Sequence, residues 1–161
     1  MPVAQHVTRP FTLSGGAGSR IDSNLWGIHA MPVAFHLTVI VTALALLINI
    51  SFAMRVGQAR GRLGVDAPAT AGPEEFNRIY RIHQNTIEQS VLFLPSLWLF
   101  HAVFNTVWGA VIGSIWLVGR LVYARAYTKD PKKRGPGMIL TFAASLVLLL
   151  SALAGSIIGL F

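Results

Sequence analysis

Two stretches of this chain, Met31 to Met54 and Met138 to Phe161, contain no Asp, Glu, Lys or Arg, and a third, Val91 to Gly119, is apolar apart from a polar break at His101 to Thr106. A helix needs roughly 20 predominantly apolar residues to cross the hydrocarbon core of a bilayer. The first and last stretches therefore each suffice for one span. The third is too long for one span, and its break, "HAVFNT", reads as a short turn between two helices. The expected fold is an all-α integral membrane protein, a bundle of four transmembrane helices over about residues 32–54, 73–101, 105–127 and 137–160. Composition agrees, with 12% charged residues against about a quarter in an ordinary soluble domain.

The charges that remain are grouped. Arg55, Arg60, Arg62, Arg78 and Arg81 lie in or beside the connection between the first two helices, and Arg120, Arg125, Lys129, Lys132, Lys133 and Arg134 lie at the connection between the last two. Short basic connections stay on the cytoplasmic side of a membrane, so both are expected to face the cytoplasm. The turn at His101 to Thr106, free of Lys and Arg, then faces the opposite side with both termini. A sequence pI near 10.9 raises the question of nucleic acid. The basic residues sit within a few positions of apolar spans, however, and no separate basic domain exists to hold a duplex, so no nucleic acid partner is expected.

Residues 1–30 have another character. "TLSGGAGSR" is rich in Gly and Ser, as flexible linkers are, and "MPVA" occurs at Met1 and again at Met31, where the apolar run begins. The expectation is a linker-like extension outside the folded unit, which starts at Met31 and runs to the C-terminus. The extension lacks the continuous apolar core of a signal peptide.

The chain has no cysteine, which excludes a disulfide framework, a cysteine metal cluster and a cysteine nucleophile. Any thiol chemistry must use a thiol of the substrate. No Gly-rich phosphate loop or GxSxG elbow occurs. His83 and Glu88 are five apart, unsuited to a shared helical face, so no metal is expected.

Polar chemistry concentrates in "FNRIYRIHQNTIEQSVLFLPSLWLF", Phe76 to Phe100. Pro73 before Glu74 and Glu75 suits a helix start, because proline fits the first turn and carboxylates favour the positive end of the helix dipole. From there Arg78, Arg81, Asn85 and Glu88, spaced 3, 4 and 3, fall within an arc of roughly 80°. Glu88 lies roughly 20 Å along the helix from Glu74, where the apolar run begins. Intramembrane charge costs approximately 2.5 to 3.5 kcal/mol on insertion scales and usually faces a bundle interior or a wet cavity. The plain explanation is an internal Arg81–Glu88 ion pair bracing the bundle. Against it, Arg78, Arg81 and Asn85 exceed what one carboxylate needs, and buried charges stabilise poorly when purely structural.

The third helix offers a counterpart. Arg120, Tyr123 and Tyr127, spaced 3 and 4, share a face near its basic end, and Arg134 follows in the connection. Alone, two interfacial tyrosines are an aromatic belt. Beside the stripe of the second helix they read as a site offering cationic anchors, a carboxylate, an amide and two phenols. Such a set suits a small zwitterion with more than one carboxylate, since arginine clamps carboxylates bidentately and Glu88 can accept from an ammonium.

The motif "GPEEFNRIYRIHQNTIEQ" resembles the second-helix signature of the membrane-associated proteins in eicosanoid and glutathione metabolism, the MAPEG family, and "GRLVYARAY" is similar to the family's third helix. The resemblance covers Met31 to the C-terminus. It implies a homotrimer with glutathione as co-substrate, bound at subunit boundaries and open to the cytoplasm, here of a bacterial inner membrane. Position by position, it implies glutathione binding by Arg81, Asn85, Glu88, Tyr123 and Tyr127, with Arg120 beside the pocket and Arg60 and His83 contributed by a neighbouring subunit. Arg134 matches the arginine assigned to thiol activation. Helical geometry leaves His83 two roles. It lies about 160° around the helix from Arg81, so it either serves the next subunit's pocket or is satisfied between helices.

Four positions depart from the family pattern. Asn77 stands where many members have Glu, Gly61 where the leukotriene-forming branch has an arginine assigned to substrate protonation, Gln89 where that branch has tyrosine, and Val91 where many have proline, with Pro95 one turn later. Gly61 argues against the leukotriene reaction, and Pro95 shifts any kink along the helix.

A free thiol of pKa about 8.5 is about 3% thiolate at pH 7, whereas a pKa of about 6.5 gives roughly three quarters, a stabilisation near 2.7 kcal/mol. One arginine in a poorly solvated pocket can supply that. The expected function is glutathione conjugation of hydrophobic electrophiles arriving from membrane lipids, with reduction of lipid hydroperoxides by the same thiolate as an associated activity. The alternatives are a membrane scaffold that binds lipid or glutathione without turnover, and a small transporter or channel subunit. The last would need polar residues through the bundle's full depth, but "VLFLPSLWLF" offers only Ser96.

Overall fold

The computed structural model describes residues 31–161, which form four α-helices with no strand among the described residues. The expectation for residues 1–30 lies outside the described residues. The helices are α1 (Val33–Leu63), α2 (Glu74–Phe104), α3 (Trp108–Lys129) and α4 (Gly135–Ile158), with a 3-10 turn over Pro131–Arg134 before α4. By length and composition, α1, α2 and α4 with its preceding turn can cross a membrane. The shorter α3 carries Arg120, Arg125 and Lys129 in its second half and is not among them.

Two helix ends fall later than the sequence suggests. The first helix, expected to stop near residue 54, continues to Leu63, so Arg55, Arg60 and Arg62 ride on its last turns rather than in a loop. Charge marks where a helix leaves an apolar layer, not where its hydrogen bonding stops. The stop comes at Gly64, whose φ of 63° is left-handed and whose N–H closes on the Arg60 carbonyl, a conformation glycine adopts without a Cβ penalty. Likewise α2 runs through His101 to Phe104, and its cap is Asn105 at φ 45°, which donates to the His101 carbonyl at 2.7 Å. Asparagine is among the few other residues that visit this region readily.

Successive helices run antiparallel, as their short connections require. Thr38 lies by His101 and Asn49 by Ser90 across α1 and α2, while Asn85 meets Arg120 and Phe93 stacks on Trp116 across α2 and α3. Phe93 and Trp116 are 4.2 Å apart by ring centroid and 6° from parallel, at the heart of a cluster that also takes in Leu97, Ala45 and Leu148. Small residues let the backbones close, which is how helices associate where no water drives them together. At Gly137 of α4 a Cβ would stand 2.4 Å from the Tyr123 amide nitrogen of α3. That contact presses α4 against the turn that carries Tyr123.

Pro95 sits inside α2 without ending it. Asn77 turns back to the preceding loop: its Nδ2 donates to the Gly72 carbonyl at 2.8 Å and its Oδ1 accepts from the Gly72 N–H at 2.9 Å. The nearby arginines find carboxylates, Arg78 pairing with Glu74 and Arg62 with Glu75.

Candidate functional site

Arg120 is fully buried between α3 and α2. Its Nη1 and Nη2 donate to Asn85 Oδ1 at 3.1 and 3.2 Å, and Nη2 also donates to Thr86 Oγ1 at 2.8 Å. Thr86 in turn donates to the Ile82 carbonyl at 2.7 Å, which fixes its hydroxyl as the acceptor facing Arg120. The guanidinium also lies over the Tyr123 ring, 4.3 Å from its centroid, a cation–π contact strengthened by desolvation. Its Nε has no hydrogen-bond partner among the described residues.

From this buried anchor the polar groups lead outward in two directions. Asn85, its oxygen committed to Arg120, turns its Nδ2 to Glu88 Oε2 at 3.3 Å. Glu88 faces Arg81 at 3.8 Å, and both side chains are about half exposed in the single chain, at 44% and 56%. That spacing exceeds hydrogen-bond range but remains within ion-pair distance, and because both residues lie on α2 the pair ties no two helices together. In the other direction Tyr123 tilts against Tyr127, ring centroids 5.5 Å apart, and the Arg134 guanidinium lies 6.0 Å from the Tyr127 ring. Arg134 ends the 3-10 turn, which Asp130 caps by accepting from the Lys132 N–H at 2.9 Å.

One continuous track thus brings together Arg81, Glu88, Asn85, Arg120, Tyr123, Tyr127 and Arg134. Three of the residues singled out in the sequence lie elsewhere. Arg60, on α1, donates to the carbonyls of Val65 and Asp66, both at 3.3 Å, and covers the Phe76 ring. His83 lines an apolar groove between α1 and α2 with Leu46, Ile50, Ile87 and Leu94. Arg78 belongs to the helix end instead, donating to the Thr128 carbonyl and pairing with Glu74.

Thr86 was not among the residues the sequence pointed to. It lies about 100° around α2 from Asn85, off the polar stripe, and only the register of α3 against α2 brings Arg120 to it. The available signal was a lone hydroxyl facing a helix that carries an otherwise uncompensated arginine.

Chemically, the track joins a rigid, dry end to a wet one. Arg81 and Glu88 present opposite charges that a zwitterion can engage, and two phenols connect them to a third cation at the basic end. The model of the MAPEG family matches residues 38–154. An uncharacterized Synechocystis protein is 40% identical over 114 residues, covering 71% of this chain and 83% of its own. Human microsomal glutathione S-transferase 2 is 37% identical over 103 residues, covering 63% and 70%. Bovine leukotriene C4 synthase is 37% identical over 94 residues, covering 58% and 63%. Because the family match begins in the first turns of α1 and ends in the last turns of α4, taking in every residue of the track, this chain belongs to the MAPEG family.

Proposed function

We propose that the protein is a membrane-bound glutathione transferase that activates glutathione as a thiolate and conjugates it to hydrophobic electrophiles. The observation that carries this reading is the open Arg81–Glu88 pair, 3.8 Å apart and half exposed, linked through Asn85 and Arg120 to two tyrosines and Arg134. In this reading Arg81 clamps a glutathione carboxylate and Glu88 accepts from the α-ammonium. Asn85 holds Glu88 in place and is itself held by Arg120. The Tyr123 and Tyr127 hydroxyls donate to the peptide or the sulfur, and Arg134 stabilises the thiolate once its proton has left to water. The sulfur lone pair then forms the C–S bond while the electrophile's leaving group departs with its bonding pair. With a lipid hydroperoxide the same thiolate takes the distal oxygen and releases the alcohol. A second glutathione, with the proton that the first gave up to water, resolves the sulfenate to disulfide and water.

The reading extends to assembly. All four helices cross the membrane, α3 packing on both α2 and α4, with the basic end toward the cytoplasm of a bacterial inner membrane. Three copies associate, and Arg60 and His83, which lie off the track in their own subunit, serve a neighbour's site.

Glutathione titration of the detergent-solubilised protein at pH 7, followed by near-ultraviolet thiolate absorbance, tests the chemistry. A thiolate signal that fades in Arg134→Ala supports the activated nucleophile. Binding without thiolate makes the track a docking site of a non-catalytic scaffold, and failure to bind removes the assignment.

A further inference from the structure

At the basic end of the bundle, two contiguous hollows of about 360 and 420 Å³ lie along the cleft between α1 and α3, sharing Phe52, Arg55 and Thr128 as walls; Ile79 and Ile82 of α2 also line the first, and Phe52 packs on Tyr123 of the track from the other side. Arg125 and Lys129 line the second, Arg62 the first, and no Asp or Glu lines either. Arg62 is engaged with Glu75 of α2, which leaves Arg55, Arg125 and Lys129 as a cationic rim. The floor is apolar, with Phe52 under the Arg55 guanidinium at 5.5 Å and Leu121 beside it.

Depth identifies what such a rim would meet. Arg55 is the first charge after the apolar run of α1, and Arg125 lies in the last turns of α3, so both stand where the apolar band gives way to the headgroup layer. Along α3, Val111, Ile115, Val118 and Leu121 are exposed and, spaced 4, 3 and 3, form one face that ends at Arg125. Free phosphate has no use for such a stripe. A lipid does, since it carries acyl chains and an anionic headgroup on one molecule. Basic pockets between helices at the cytoplasmic side of a membrane are suited to anionic headgroups.

We propose that the α1/α3 cleft is a binding site for an anionic glycerophospholipid, its phosphate held between Arg55 and Arg125 and its acyl chains lying along the α3 stripe. The site is separate from the α1/α2 groove that holds His83. On α1, Phe52, Arg55 and Ala59 face roughly 150° away from Leu46, Ile50 and Ala53. On the assembly proposed above, a neighbouring subunit seated on that groove would leave this cleft open to lipid.

The test is lipid retention by the full chain purified in a neutral detergent and exchanged into micelles containing phosphatidylglycerol or phosphatidylcholine of matched chain length, with bound lipid counted by native mass spectrometry. The wild type should retain phosphatidylglycerol in clear preference, and excess inorganic phosphate should not displace it. Each basic residue near a membrane surface contributes about fivefold, so Arg55→Gln with Arg125→Gln should weaken phosphatidylglycerol retention by about 25-fold and leave phosphatidylcholine unchanged. The charge-keeping pair Arg55→Lys with Arg125→Lys should hold most of the preference, which separates loss of charge from damage to the fold. Equal retention of the two lipids by the wild type, a preference that survives the glutamine pair, or ready displacement by phosphate would each overturn the proposal.

Discussion

Arg120 and Asn85 meet through a forked contact in which both terminal nitrogens of the guanidinium reach one amide oxygen, at 3.1 and 3.2 Å, inside the bundle. The fork orients Asn85, so that its nitrogen faces Glu88, and it locks α3 to α2 in a single register. Structure and site are therefore coupled at this point. A buried cation that braces the fold also sets the rotamer of the amide beside the proposed ligand carboxylate.

The coupling makes Thr86 a sensitive position. Thr86→Val keeps the shape but removes the 2.8 Å acceptor of Arg120 Nη2, leaving a buried charged donor unmet. The expected loss is about 1.5–3 kcal/mol, while Thr86→Ser should stay near the wild type. Unfolding titrations in mixed micelles measure both, and a loss in Thr86→Ser with Thr86→Val near the wild type would assign the effect to the methyl group instead.

Gly137 and Gly57 give opposite expectations for the same substitution. At Gly137 an added Cβ would meet the Tyr123 backbone, at 2.4 Å from N and 2.6 Å from Cα, and neither atom can move alone. Gly137→Ala should cost about 3 kcal/mol or more. At Gly57, in the interior of α1, nothing of its own chain lies within 4 Å, and in the isolated subunit Gly57→Ala should stabilise by about 0.5–1 kcal/mol by restricting the unfolded chain. Thermal melts of the two variants side by side decide the matter.

Arg134→Ala should act on the thiol rather than on affinity. If arginine holds the bound thiol near pKa 6.5, its loss returns the thiolate at pH 7 from roughly three quarters to about 3%, a fall of about 25-fold in rate. Thiolate grows with pH, so the variant should recover as pH rises through about 8.5, while the wild type is already level there. A parallel drop in glutathione affinity at every pH would place Arg134 in binding instead.

Arg60 and His83 test the assembly. Both lie away from the track of their own chain, so Arg60→Ala and Arg81→Ala subunits, each impaired alone, should regain activity when co-expressed, because some boundaries then hold one intact half from each. Activity no greater than the sum of the separate variants would confine the site to one chain.

The polar stripe was legible because a 3.6-residue period projects Arg81, Asn85 and Glu88 onto one face of α2 whatever that helix packs against. The same period placed Arg120, Tyr123 and Tyr127 together on α3. It says nothing of depth. Arg120 and Arg81 look alike in the sequence, yet Arg120 is fully buried and Arg81 is half exposed. The helix ends depart from the hydropathy boundaries for a related reason. Arg55 marks the end of an apolar run, whereas the helix ends where the backbone turns left-handed at Gly64.

From the residues alone came the all-helical fold, the clustering of basic residues around two connections, the absence of cysteine and the faces that carry polar groups, because hydropathy and helical period act over short range along one segment. What the tertiary structure decided was pairing. The register of α3 against α2, marked by Phe93 stacked on Trp116, brings Arg120 to Asn85 and Thr86, and the close approach at Gly137 seats α4 on α3. Such pairings depend on how two surfaces far apart in sequence fit each other, and a period read along one helix carries no information about its partner.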